Sequence, residues 1–169
     1  MIILGIDQSH AATGIVLIDY DPVRNPVIMK AMTVFKNITS RNIRAALYRL
    51  PLEKCRLMVR EEGFFSADYP DVGLEIERVG GWCEAICEAL APSMPQMRVT
   101  AKEWRYRAWG SQAVGLRTLQ AKKHSILFAT EHGIKDPDDH QGDAFGIAIY
   151  GGWKLTEGKK ETWKLKRAK

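Results

Sequence analysis

The chain opens on an uncharged apolar run, Met1-Ile2-Ile3-Leu4-Gly5-Ile6, closed by Asp7. A short Ile-rich run of this kind predicts a strand buried on both faces. A second run, Gly14-Ile15-Val16-Leu17-Ile18, comes at once, and Gln8 to Thr13 fit a hairpin connection. Asp19-Tyr20-Asp21-Pro22 and Asn25-Pro26 are turn signals, and Val27 to Phe35 reads as a third strand, so an antiparallel meander is expected. Ile43, Leu47 and Leu50 recur at helical spacing after Ser40 and predict a helix from about Arg41. Leu52, Leu57 and Met58 continue its apolar face past Pro51 toward Gly63. Residues 66–71 read as a loop. Val72, Leu74 and Ile76 then alternate with Gly73, Glu75 and Glu77, predicting a fourth strand over 72–81. Trp82 to Leu90 reads as a short amphipathic helix and Met97 to Val99 as a short strand. Helices are expected over 101–109, 117–131 and 139–151. The order β-β-β-α-β-α-β-α-α-α implies an α/β fold, a mixed sheet with helices on its faces.

Composition narrows the class. A chain of 169 residues, 46% hydrophobic and 27% charged, is that of one soluble domain with a sizeable core. No stretch approaches the ~20 apolar residues of a membrane span, and no secretory signal is visible, so a cytoplasmic protein is expected. Cys55, Cys83 and Cys87 are odd in number, and Cys83 and Cys87 fall at helical spacing. That excludes a disulfide framework and a structural zinc site and predicts buried thiols. The net charge of +5 resides in residues 154–169, which hold seven basic and two acidic side chains; residues 1–153 carry 18 of each sign. The chain therefore divides into a domain over 1–153 and a basic tail over 154–169. Such a tail suits nucleic acid or another polyanion.

Ligand-type side chains recur in apolar settings. Asp7 ends the first strand, where an ionised carboxylate is costly unless paired or bound to a metal. Glu75 and Glu77 lie on the expected fourth strand. His140 and Asp143 are three apart, so a helix sets both on one face, and the residues after Asp143, from Ala144 to Ile149, are almost all apolar. Asp136, Asp138 and Asp139 precede them and read as ordinary acids at a helix N-terminus. Hard oxygen donors with one imidazole suit Mg²⁺ or Mn²⁺ more than zinc.

Four segments together resemble the RuvC-like Holliday junction resolvases of the RNase H-like superfamily, including phage-type members. They are Ile3-Leu4-Gly5-Ile6-Asp7 with Thr13-Gly14, then Glu75-Ile76-Glu77-Arg78-Val79, then Val99-Thr100-Ala101-Lys102-Glu103-Trp104, and last His140-Gln141-Gly142-Asp143-Ala144-Phe145-Gly146-Ile147-Ala148. The resemblance covers the chain to about Trp153. It implies an RNase H-like fold, a central mixed five-stranded sheet with three antiparallel strands and then two parallel ones. It implies catalysis by Asp7, Glu77, His140 and Asp143, holding two Mg²⁺ or Mn²⁺ ions and no small-molecule cofactor. The implied reaction cuts Holliday junctions and other branched DNA to leave 5′-phosphate and 3′-hydroxyl ends, in a bacterial cell or a phage-infected host. The implied assembly is a homodimer, with the helix from Trp82 to Leu90 as the expected contact. The family often carries an aromatic residue three positions after its Glu; here that position is Gly80, with Trp82 two residues on. Phosphate contacts are expected from Lys102, Arg105, Arg107, Arg117, Lys122, Lys123 and the tail. Trp104, Tyr106 and Trp109 are interleaved with these as candidates for base stacking, with Trp104 assigned to the core. Two other readings compete. Gly5-Ile6-Asp7-Gln8-Ser9 also resembles the phosphate loop of sugar kinases and actin/Hsp70-like ATPases, which enclose a nucleotide between two such domains. The other is a branched-DNA-binding module without catalysis, which a missing ligand would mark.

Overall fold

The computed structural model describes residues 1–9, 11–35, 38–63, 70–113 and 115–167, the side chains of 35 and 158–167 excepted. Its strands are β1 (Ile2–Gln8), β2 (Ala12–Asp19), β3 (Val27–Phe35), β4 (Cys55–Glu61) and β5 (Gln96–Val99). Its helices are α1 (Ser40–Leu47), α2 (Pro70–Leu90), α3 (Ala101–Trp109), α4 (Thr118–Glu131) and α5 (Asp139–Arg167). The sheet order is β3-β2-β1-β4-β5. The first three strands form the expected antiparallel meander, and β4 and β5 join β1 in parallel.

Alternation along β1 feeds two cores. Ile3 packs under α3, α4 and α5 with Phe145, Ile147 and Trp104. Leu4 and Ile6 face α1 and α2 with Ile43, Leu47, Val79, Cys83 and Cys87. A strand covered on both sides must be apolar throughout, which is why this run shows no polar alternation. The cysteines are free and buried, as their spacing predicts.

The fourth strand is not where the sequence pattern set it. Residues 72–81 lie inside α2, and the strand is β4, over residues expected to extend a helix. The alternation of Val72, Leu74 and Ile76 misleads because Val72 and Leu74 face solvent. The buried positions of α2 are Gly73, Val79, Gly80, Cys83 and Cys87, a helical stripe of mostly small side chains. In β4, Leu57-Met58-Val59 is a short continuous run of the kind parallel strands show, disguised by Arg56 and Arg60 on either side. The expected loop over 66–71 falls outside the described residues up to 69, and Pro70 and Asp71 already belong to α2. Helix α5 runs past the expected end at Gly151 to Arg167, so its backbone continues across the 153/154 boundary. Among the described residues, no helix is long and apolar enough to cross a membrane.

Candidate active site

Chain geometry brings three acids to one end of the sheet. Residues Ile6 and Arg60 are partners in the parallel pairing of β1 with β4, so Asp7 and Glu61 come next, side by side. Both point to the face that carries α5, because Ile6 and Met58 point the other way. Helix α5 crosses that face at close range. A Cβ on Gly5 would collide with the backbone oxygen of Ala144, and one on Gly14 with that of His140. Bare backbone at these two positions lets the first turns of α5 sit directly on β1 and β2. There the side chains of His140 and Asp143 reach the strand ends.

Each acid is engaged. His140 Nδ1 lies 2.7 Å from Asp7 Oδ2. Trp104, wholly buried on α3, donates from Nε1 to Glu61 Oε2 at 2.6 Å. Asp143 accepts from the Ser125 hydroxyl and from Arg105 Nη2, the latter at 3.2 Å. Asp138 accepts from the Thr33 hydroxyl at 2.7 Å and from the Gln141 N–H at 2.8 Å, a cap that starts α5. Asp139 is paired to Lys122 at 2.6 Å.

The electrostatics are those of acids crowded in a dry place. Burial, opposed by the bond to His140, holds the Asp7 carboxyl above the usual range. Burial, and then the charge of Asp7, pushes Glu61 up to about 8 and Asp143 up to about 7. The bond to Asp7 raises the His140 imidazole. Without a cation, this cluster holds protons near neutral pH that isolated carboxyls would have lost. A divalent cation removes the conflict, and carboxylate oxygens with one imidazole are a fitting donor set for Mg²⁺ or Mn²⁺. Among the described residues, no three His, Cys, Asp or Glu side chains form a finished cage for an ion. The acids are turned instead onto Trp104, Ser125, Arg105 and His140.

Of the four side chains expected together, Asp7, His140 and Asp143 lie at this end of the sheet and Glu77 does not. It sits on α2, on the other face of the sheet, with its carboxylate on Arg60 and on the Gly63 N–H. Glu75 is half-exposed on α2 and paired to Arg78. The acid beside Asp7 is Glu61, which sequence reasoning missed. Its signal was present: Leu57-Met58-Val59 leads to Arg60-Glu61 much as Ile2 to Ile6 leads to Asp7.

The expected phosphate contacts divide by environment. Lys102, Arg107, Arg117 and Lys123 are exposed. Arg105 lies over the rings of Trp104 and Trp109 at 5.1 and 5.6 Å and is 30% exposed beside Asp143. Lys122 is occupied by Asp139. Arg107 stacks on Trp153 at 4.4 Å. Trp104 and Trp109 are core, while Tyr106 is 65% exposed.

No protein-family model and no curated protein sequence matches this chain. Solved structures do. Thermus thermophilus RuvC superposes with a TM-score of 0.69 at 15% identity, over 94% of this chain and 97% of RuvC. The same protein in complex with a Holliday junction substrate gives 0.64 at 16%, over the same shares. The yeast mitochondrial Holliday junction resolvase Ydc2 gives 0.56 at 14%, over 96% of this chain and 83% of that one. Fowlpox virus resolvase, in complex with Holliday junction DNA, gives 0.52 at 12%, over 92% and 99%. At these identities the likeness is one of fold: the chain has the RNase H-like fold of RuvC, with its mixed five-stranded sheet.

Proposed function

We propose that this protein is a divalent-metal-dependent endonuclease that cuts Holliday junctions and related branched DNA, leaving 5′-phosphate and 3′-hydroxyl ends. The observation that carries the reading is the acid cluster. Asp7, Glu61 and Asp143 come from three elements, are all raised by burial, the last two also by the charge of Asp7, and stand with His140 on a fold shared with three junction resolvases. A cluster kept at such electrostatic cost points to a cation in use.

Asp7, Glu61, His140 and Asp143 would hold two Mg²⁺ or Mn²⁺ ions, Glu61 taking the role the family resemblance implied for Glu77. Bound ions of this kind lower the pKa of an attacking water and stabilise the leaving oxygen of a phosphodiester. Asp7, bonded to His140 and beside Glu61, would be one of the ligands. His140 would give up its proton to serve as a ligand, and Glu61 and Asp143 would exchange their present partners. Arg105, beside Asp143 and partly exposed, would hold the substrate phosphate. Lys102, Arg107, Arg117 and Lys123 would contact flanking phosphates and so set the salt dependence. Counted from Glu61, the aromatic position of the family falls on Phe64, outside the described residues. A homodimer matches the two-fold symmetry of a four-way junction. Trp82, Ile86 and Leu90, lining a groove between α1 and α2, are the proposed contact.

The test is a cleavage assay on four-way, three-way, flap and plain duplex DNA with Mg²⁺ or Mn²⁺. Parent protein should cut branched substrates, while Asp7→Asn and Glu61→Gln should lose cleavage and keep junction binding in Ca²⁺. Near-normal cleavage by either variant would refute the site.

A further inference from the structure

Arg60 is the anomaly of the fold: a wholly buried arginine in a central parallel strand, next in sequence to Glu61. Its guanidinium is bonded to two carboxylates of α2 and to the backbone of Glu61 itself. Nε donates to Glu84 Oε1 at 2.9 Å, and Nη2 to Glu77 Oε2 at 2.9 Å. Nη1 donates to Glu77 Oε1 at 3.2 Å and to the backbone oxygen of Glu61 at 2.9 Å. That same oxygen accepts from the Gln8 side-chain amide, one residue past Asp7. Glu77 also accepts from the N–H of Gly63, two residues past Glu61. On the far side, Glu84 takes a forked bond from Arg98 at 2.7 and 2.6 Å, and Arg98 is the β5 partner of Arg60 in the parallel ladder. Helix α2 makes room for this: a Cβ on Gly80 would lie 2.7 Å from Arg60 Nη1.

We infer that Arg60, Glu77 and Glu84 form a positioning clamp that sets the orientation of Glu61 from the opposite face of the sheet. This rests on the proposed role of Glu61 as a metal ligand. Neighbouring strand residues point to opposite faces, so anchoring Arg60 toward α2 forces Glu61 toward Asp7 and Asp143. A slip of one residue would put the guanidinium among the acids and Glu61 against α2. Strand β4 ends at Glu61, and the Glu62 N–H still bonds the Val99 oxygen at 2.8 Å. The bonds to the Glu61 oxygen and the Gly63 N–H restrain the backbone just after the carboxylate-bearing Cα, and the Arg60 side chain anchors the residue just before it. Glu77 and Glu84 offset the buried charge that this anchor requires, since a buried guanidinium is tolerated only when its donors are paired. Glu77 therefore acts on the site through the backbone of Glu61, without touching an ion or DNA.

The test is calorimetric Mn²⁺ binding to folded protein without DNA, with a thermal melt as a control for folding. The variants are Glu77→Ala, Glu77→Gln, Glu61→Gln and Glu75→Gln. Glu77→Ala removes the acceptor for the Gly63 N–H and one of the two carboxylates that hold Arg60, and should weaken Mn²⁺ binding about tenfold or more, the usual effect of losing a group that orients a ligand. Glu77→Gln keeps an acceptor for Gly63, and leaves Arg60 paired with Glu84, so it should fold and bind Mn²⁺ with intermediate affinity. Glu75→Gln, on the same helix but paired only to Arg78, should bind like the parent. A purely structural role for Glu77 would lower the melting temperature and leave Mn²⁺ affinity unchanged in both Glu77 variants, and that result would overturn the clamp. If Glu61→Gln binds Mn²⁺ as the parent does, the metal-ligand reading of Glu61 fails, and the clamp falls with it. If Glu61→Gln loses binding while both Glu77 variants match the parent, the clamp alone fails.

Discussion

The acid cluster should make the metal-free protein less stable as pH rises, and Glu61→Gln should remove much of that loss. Glu61 has an ordinary value of 4.5 and is pushed up to about 8 in the fold. Between those values the folded state holds a proton that the unfolded chain has released. Stability therefore falls as pH rises through that window and levels off above about 8. The rise is about 3.5 pH units, which at ~1.4 kcal/mol each sets a ceiling of about 5 kcal/mol. Part of it comes from the charges of Asp7 and Asp143 and is shared with those groups, so a working figure is ~2–3 kcal/mol at pH 8. Gln is isosteric, carries no charge, and still accepts from Trp104. In EDTA the variant should melt higher than the parent by ~5–10 °C at pH 8 for a chain of this size, and nearly together with it at pH 5. Adding Mn²⁺ at pH 8 should raise the parent strongly and the variant little. The assay is a set of thermal melts from pH 5 to 8.5 with and without Mn²⁺. A gap between the two proteins that does not widen with pH would refute the assignment of Glu61 as a strained carboxyl.

His140 is held protonated to higher pH by its bond to Asp7, so metal binding must displace that proton and cleavage should begin to fall with pH while still above the ordinary imidazole value of 6.5. His140→Asp should extend the pH–rate profile into acid and shift preference from Mn²⁺ toward Mg²⁺; an unchanged profile would exclude His140 as a ligand. Trp104→Phe keeps the buried ring but removes the donor to Glu61 Oε2, so half-maximal cleavage should need about tenfold more Mn²⁺, read from a metal titration. Removing residues 158–169 deletes a net +5 and no proposed ligand, so junction binding should weaken with a shallower slope of log affinity against log salt; an unchanged slope would mark a passive end.

Much of this protein was legible in its sequence because it rested on local pattern. The buried run ending in Asp7, the meander of β1 to β3, and the i, i+3 pair His140 and Asp143 ahead of an apolar helix all arise from spacing along the chain. So does the core placement of Trp104 in its helix. Tertiary structure alone decided which acid joins Asp7. A parallel strand has no turn tying it to its partner, so the apolar run before Glu61 can mark a strand end but not its place beside Asp7; the register with β1 does that. Periodicity was misled at the same place for a physical reason. Helix α2 buries a stripe of Gly and Cys and exposes Val72 and Leu74, while β4 buries an arginine. Both invert the usual relation between polarity and burial, and they meet at one contact, the guanidinium of Arg60 against Gly80, Glu77 and Glu84. Such a contact exists only once strand and helix have met, so no reading of either segment alone reveals it.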